Sequence, residues 1–237
     1  IIPEKYSKFY SEKILHLPGC YQPNIINKNI FSKKISRKDY GLDEDKFIFC
    51  SFNLNYKITP DMFDLWIKIL KETQNSILWM LISNNTAQKN LQTYAKTKGV
   101  NSDRIVFARY VPESEHLNRM RFADVFLDSF PYNAHTTASD VIRMGVPIIT
   151  LYGRSFASRV CASILSQVKM SKLSTNSIKN YEEIAVQLGN NASEIKKIKK
   201  EIENNCLDSP LFKIINFTRD LESIFINLID KKIIKKN

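Results

Sequence analysis

Residues 124–151 read DVFLDSFPYNAHTTASDVIRMGVPIITL, and this segment carries the clearest signal of the fold class. An apolar run at residues 125–127 predicts a buried strand, and a second apolar run at residues 148–151 predicts another. The residues between them predict a helix that begins near His135 and ends before Gly145. Two strands that are apolar throughout, with a helix between them, are typical of a parallel sheet covered on both faces.

The same alternation extends upstream to about residue 46. Apolar, β-rich runs predict further strands at residues 46–52, 77–82 and 104–108. Helices are predicted from Pro60 onward and over residues 88–98 and 114–120. Downstream, three helical patterns follow without intervening strands, at residues 181–188, 193–206 and 216–228. The expected fold class is therefore α/β, a Rossmann-like parallel sheet with helices on both faces, followed by a helical tail.

Polar side chains follow three of the predicted strands at the point where each strand ends. Lys57 follows the first, His116 and Arg119 follow the third, and His135 follows the fourth. Ligands of parallel sheets bind at the carboxyl ends of the strands, so these residues are expected on one rim. Taken singly, Lys57 is more typical of a solvated surface lysine and His116 of a helix-surface histidine. Their convergence on one rim favours a functional site.

The segment His135-Thr136-Thr137 lies at the predicted start of a helix, after the loop that follows a strand. Unpaired backbone N–H groups and the helix dipole make such a junction a site for anions, above all phosphates. The hydroxyls of Thr136 and Thr137 add donors, and Asp140 one turn later is placed to accept hydrogen bonds from sugar hydroxyls. The alternative is an ordinary threonine cap followed by an exposed aspartate.

Composition narrows the classes of function. The 237 residues are 43% hydrophobic and 11% aromatic, enough for a sizeable core. The formal net charge of +11 invites a nucleic-acid partner, but no zinc-finger, RNA-binding or helix-turn-helix signature accompanies it. We therefore expect no nucleic acid as a partner, while the positive field favours an anionic substrate.

Cysteine usage and hydropathy point to the cytoplasm. The four cysteines stand far apart, without a C-x-x-C pair, which argues against a zinc site or a disulfide framework. No apolar run approaches the roughly 20 residues of a membrane helix, so no membrane span is expected. The chain opens on Ile1-Ile2-Pro3 without a methionine, and we expect it to be part of a longer polypeptide.

Several segments, in this order, resemble the catalytic region of the O-GlcNAc transferase and SPINDLY family. They are IFCSFNLNYKITP at 48–60, SILW at 76–79, VP at 111–112 with EH at 115–116, HTT at 135–137 with Asp140, ASRV at 157–160 and SPLF at 209–212. The resemblance extends from YSEK at 10–13, through LP at 17–18 and YQP at 21–23, to about Phe225. It covers nearly the whole chain.

The resemblance implies a metal-independent, inverting glycosyltransferase of the GT-B type, which has two Rossmann-like halves. This chain resembles the second half, with residues 1–43 as the connection from the first half, 44–178 as the nucleotide-sugar-binding core and 179–237 as C-terminal helices. The first half and the tetratricopeptide repeats usual in the family are then partners that lie elsewhere. No cofactor is implied, since the donor is a substrate.

The resemblance also assigns roles to residues. Lys57 resembles the lysine that neutralises the diphosphate leaving group, the one catalytic residue expected here. The remaining residues resemble donor-binding groups: His135, Thr136 and Thr137 for the phosphates, Asp140 for the ribose, and Val111, His116 and Arg119 for uracil. Two departures are Leu54, where the animal enzymes have a glutamine, and Glu113, where they have a lysine.

The activity implied is transfer of N-acetylglucosamine from UDP-GlcNAc to Ser or Thr of an acceptor protein. A second possibility keeps the fold and changes the sugar, as in the GDP-fucose branch or a branch that glucosylates asparagine. A third is a nucleotide-binding or scaffold domain that is no longer catalytic, for which Leu54 and Glu113 are the support.

Overall fold

The computed structural model describes residues 1–25 and 34–234 and contains one six-stranded parallel sheet. The strands are β1 (Phe47–Ser51), β2 (Ser76–Leu81), β3 (Ile105–Ala108), β4 (Val125–Leu127), β5 (Ile148–Leu151) and β6 (Ser174–Thr175). Their order across the sheet is β3-β2-β1-β4-β5-β6, which is the order of doubly wound Rossmann folds. The order reverses between β1 and β4, and ligands of such sheets bind at that point. The expected fold class is confirmed.

Helices cover both faces of this sheet. They are α1 (Pro60–Glu72), α2 (Asn85–Thr97), α3 (Glu113–Met120), α4 (Thr136–Arg143), α5 (Val160–Gln167), α6 (Ile178–Gly189), α7 (Ala192–Asp208) and α8 (Ile214–Ile234). Helix α1 contacts α6, α4 contacts α3, α5 and α7, and α6 and α7 contact each other. Strands β4 and β5 are buried at every residue, as expected for a sheet covered on both sides.

Side-chain caps fix where several helices begin. The Thr59 side chain accepts a hydrogen bond from the backbone N–H of Met62 at the start of α1. Asn84 does the same for Ala87, so α2 begins three residues earlier than the apolar pattern predicted. The predicted strands agree with β1 to β5 within one residue at each end. Helix α5 and the two-residue edge strand β6 were not predicted, because neither carries a clear period.

A buried hydrogen-bond chain links two helices to the sheet. Trp66 of α1 donates from Nε1 to the hydroxyl of Tyr181 on α6, at 3.3 Å. The Tyr181 hydroxyl donates to the backbone oxygen of Asp128, directly after β4, at 3.0 Å. All three residues are fully buried. These two hydrogen bonds therefore fix α1 and α6 against the strand end that carries the predicted site.

The C-terminal helices differ in how they pack. Helix α6 contacts β5 and belongs to the covered sheet, whereas α8 keeps an exposed apolar surface. That surface consists of Ile214, Ile215, Phe225, Ile226 and Ile229. No helix in the described residues is long and apolar enough to cross a membrane. The division at residues 43 and 178 stays a prediction, and residues 26–33 and 235–237 lie outside the described chain.

Candidate functional site

Lys57 lies at the carboxyl end of β1, in a short 3-10 turn formed by Asn55–Lys57. Its half-buried ammonium donates to the backbone oxygen of Asn133 at 3.1 Å and sits 3.8 Å from the centre of the Tyr132 ring. Among the described residues, no carboxylate lies within ion-pair distance of this ammonium. Burial lowers the pKa of Lys57, and the charge of Asp128 opposes that effect. The positive charge therefore remains available to an anion.

The start of α4 faces the same rim. His135 precedes the helix, and its half-buried ring donates from Nε2 to the backbone oxygen of Ala157 at 3.3 Å. Burial lowers the pKa of His135, the Ala157 carbonyl opposes this, and the charge of Lys57 lowers it further. Thr136 is exposed and Thr137 is half-buried, and both stand in the first turn. Since the first N–H groups of a helix lack intrahelical partners, this end can receive an anion.

Asp128 is the central buried group of the site, and sequence reasoning missed it. It directly follows β4, is completely buried, and accepts at Oδ1 from Asn53 Nδ2 (3.1 Å), the Ser129 N–H (2.9 Å) and the Ala134 N–H (2.7 Å). Its Oδ2 accepts from the Thr150 hydroxyl at 2.7 Å. Burial raises the pKa of Asp128 to about 6, although these donors favour the charged form. The signal in the sequence was a single aspartate ending an apolar strand.

One peptide unit joins Asp128 to Lys57. The oxygen of Asn133 accepts from Lys57, and the next N–H, that of Ala134, donates to the Asp128 carboxylate. The Asn133 side-chain amide is itself buried and donates to two backbone oxygens, at 2.8 and 3.1 Å. The loop between β4 and α4 is thus fixed at both sides of this peptide. Its rigidity determines where the ammonium and the start of α4 stand relative to each other.

Asp140 lies one turn into α4 and is half-buried. Arg143 donates to its Oδ1 at 2.6 Å, in an ion pair within the same helix. Burial nevertheless raises the pKa of Asp140, and the charge of Glu113 at the start of α3 adds to the rise. Glu113 therefore acts electrostatically on the position predicted to bind ribose. Leu54, the other departure from the family pattern, is exposed.

His116 and Arg119 form a pair on α3. The Arg119 guanidinium is 1% exposed and donates from Nε and Nη2 to His116 Nδ1, at 3.1 and 2.8 Å. Because guanidinium offers donors alone, Nδ1 must accept and the ring proton lies on Nε2. Burial and the Arg119 charge lower the pKa of His116 to about 4, so the ring is neutral at pH 7.

A cavity of about 580 Å³ opens beside this pair, at the carboxyl end of β3. Val111 and Arg119 line it on one side, and residues 38–41 line it on another. Arg119 also donates to the backbone oxygen of Arg109, another lining residue, at 2.7 Å. Two of the predicted base-binding residues, Val111 and Arg119, therefore line one cavity, and His116 contacts Arg119 without lining it. The roles given to these residues stay predictions.

No group of three or more His, Cys, Asp or Glu side chains in the described part of the chain is arranged to hold a metal ion. The Lys57 ammonium is one of the cations that the protein itself supplies on this rim. A fixed ammonium and a helix start can together carry the charge of a diphosphate.

The fold is that of one Rossmann-like half of a GT-B glycosyltransferase. It superposes on an O-GlcNAc transferase mutant of Thermobaculum terrenum with a TM-score of 0.80 and 22% identity, over 94% of this chain and 42% of that one. The lipopolysaccharide glycosyltransferase WaaG gives a TM-score of 0.64 and 15% identity, over 91% and 59%. These similarities concern the fold.

The chain belongs to glycosyl transferase family 41, whose family model matches residues 25–221. A probable UDP-N-acetylglucosamine–peptide N-acetylglucosaminyltransferase SEC of Arabidopsis thaliana is 38% identical, over 96% of this chain and 24% of that protein. The corresponding Caenorhabditis elegans transferase is 35% identical, over 80% and 16%. A rice SPINDLY protein is 31% identical, over 76% and 20%. The resemblance stated from the sequence is confirmed, and the chain spans about a quarter or less of these relatives.

Proposed function

We propose that this chain binds the nucleotide-sugar donor of a transferase that moves N-acetylglucosamine from UDP-GlcNAc to Ser or Thr of an acceptor protein. The relatives named as UDP-N-acetylglucosamine–peptide transferases support the donor and the acceptor. The proposal includes inversion at the anomeric carbon and independence of metal ions. The other catalytic half would supply the opposite wall of the cleft.

The observation that carries the proposal is the placement of Lys57 against the start of α4. During transfer the bond between the anomeric carbon and the β-phosphate oxygen breaks, and its electron pair goes to the departing diphosphate. The oxygen of the acceptor hydroxyl forms the new bond to the same carbon and releases its proton to water. A fixed cation beside the leaving group stabilises the transition state more than the ground state, since charge develops there.

The remaining site residues fit the rest of UDP. The neutral His116 ring and the cavity beside Val111 would receive the base, and Asp140 would accept from the ribose hydroxyls. Thr136 and Thr137 would donate to the phosphates. In this arrangement the charge of Glu113 weakens binding, because it stands near an anion.

Calorimetry with UDP in the presence of EDTA tests the proposal directly. We expect UDP to bind without divalent metal and Lys57→Ala to weaken it. Lys46→Ala is the matched control, because Lys46 donates to Asn75 at the opposite end of β1. Loss of UDP binding on chelation would overturn the metal-free mechanism. Tighter binding of GDP than of UDP would show that the donor is a GDP-sugar instead of UDP-GlcNAc.

A further inference from the structure

The segment that contains Gln22 crosses the start of α4. The Gln22 side-chain amide donates from Nε2 to the hydroxyl oxygen of Thr136, the first residue of that helix, at 2.9 Å. The two residues are 114 positions apart in the chain. This contact therefore brings a side chain from the connecting segment, upstream of the sheet, onto the predicted phosphate site.

The segment is anchored by hydrogen bonds directly after Gln22, at Asn24 and Ile25. The Asn24 N–H donates to the backbone oxygen of Leu211 at 3.0 Å. The Asn24 side-chain amide donates to the backbone oxygen of Gln22, also at 3.0 Å. Beyond it, the backbone oxygen of Ile25 accepts from Arg143 at 3.0 Å. Arg143 is the last residue of α4. The segment thus contacts the first and the last residue of α4.

The hydrogen bond from Gln22 orients the hydroxyl proton of Thr136. A hydroxyl that accepts from an amide N–H keeps its own proton for a second partner. With its oxygen engaged by Gln22, Thr136 can direct that proton toward an anion at the helix start. The other end of the amide, Gln22 Oε1, is buried and has no partner among the described residues. Buried polar atoms are usually hydrogen-bonded, so this oxygen remains open to a donor from outside the described residues.

We propose that Gln22 is a positioning residue of the donor site, which orients the Thr136 hydroxyl toward the diphosphate of the nucleotide. This inference rests on the proposed function. Gln22 acts through Thr136, so the two residues should behave as one unit when UDP binds. If Gln22 merely stabilised the segment, its substitution would affect folding, and its effect on UDP binding would be independent of Thr136.

A double-mutant cycle measured by UDP calorimetry tests this unit. We expect Gln22→Ala to weaken UDP binding about fivefold, the size of one hydrogen bond. Thr136→Val should weaken it at least as much, and the double variant no further than Thr136→Val alone. Gln22→Glu should weaken it more than Gln22→Ala, because it places a negative charge beside the phosphates.

Gln92→Ala is the matched control, since Gln92 is also half-buried and donates to the backbone oxygens of Ser102 and Ile105, at the amino end of β3 and so away from the rim. Thermal melting of each variant separates folding from binding. Unchanged UDP affinity in Gln22→Ala, or effects of Gln22 and Thr136 that simply add, would overturn the role of Gln22 while the proposed function stands. A parent chain that binds no UDP would overturn both.

Discussion

Asp128→Asn should remove a pH dependence from the stability of the protein. Burial raises the pKa of Asp128 from 3.8 to about 6. The native state therefore binds more protons than the unfolded chain between these two values, and stability falls as the pH rises through them. The contribution of Asp128 is fully present below pH 3.8 and is lost as the pH passes about 6.

The size of the effect follows from that interval. About two pKa units correspond to about 3 kcal/mol of unfolding free energy. Asparagine has nearly the same shape, and its oxygen can keep the three N–H donors that bind Asp128 Oδ1. The unfolding free energy of the parent should thus drop by about 3 kcal/mol relative to the variant between about pH 4 and pH 8.

Urea unfolding followed by circular dichroism at several pH values measures this difference. Asp64→Asn is the control of opposite sign, because the Tyr94 hydroxyl and Lys98 lower the pKa of that exposed carboxyl. For Asp64, the stability advantage of the parent should shrink as the pH falls. A constant gap between the parent and Asp128→Asn over the whole range would refute the reasoning, since it would mean that folding does not change the proton affinity of Asp128.

Two further predictions concern turnover and packing. In the complete enzyme, Lys57→Ala should lower the single-turnover rate on the order of a hundredfold or more, because the ammonium stabilises the charge that develops on the leaving group. A rate within a few-fold of that of the Lys46→Ala control would show that Lys57 has no catalytic role. Gly189→Ala should destabilise the protein by about 1–3 kcal/mol in urea unfolding, since the new Cβ would stand 2.6 Å from Thr73 Cγ2. Gly41→Ala meets no atom within 4 Å, so it should cost only the backbone strain of its φ of +67°, about 1 kcal/mol.

The regular elements were readable from the sequence because their signals are local. Strands β4 and β5 are buried on both faces and so are apolar at every position, which a single segment displays. Pro60 marks the start of α1 in the same local way. Helix α5 and strand β6 were not predicted from the sequence. Helix α5 carries no clear hydrophobic period, and an edge strand of two residues is too short to contain one.

The site could be predicted in part. The rule that ligands bind at the carboxyl ends of parallel strands placed Lys57 and His135 on one rim, and the structure brings them together. The pattern could not show that Arg119 is buried against His116 and fixes its tautomer. That contact depends on the packing of three aromatic rings around the guanidinium, of Tyr40, Phe52 and Trp79.

The parallel sheet and the family could be inferred from the sequence, and so could the shared rim of Lys57 and His135, because periodicity and motif spacing are properties of short segments. The tertiary structure alone decided the contacts between distant segments. Asp128 becomes the anchor of the loop before α4 only when β1, β4 and β5 lie side by side. Gln22 reaches Thr136 only because the connecting segment folds across α4. Hydrogen bonds across such separations leave no periodic trace in the sequence, since each partner is a common polar residue whose position is set by the packing of the whole chain.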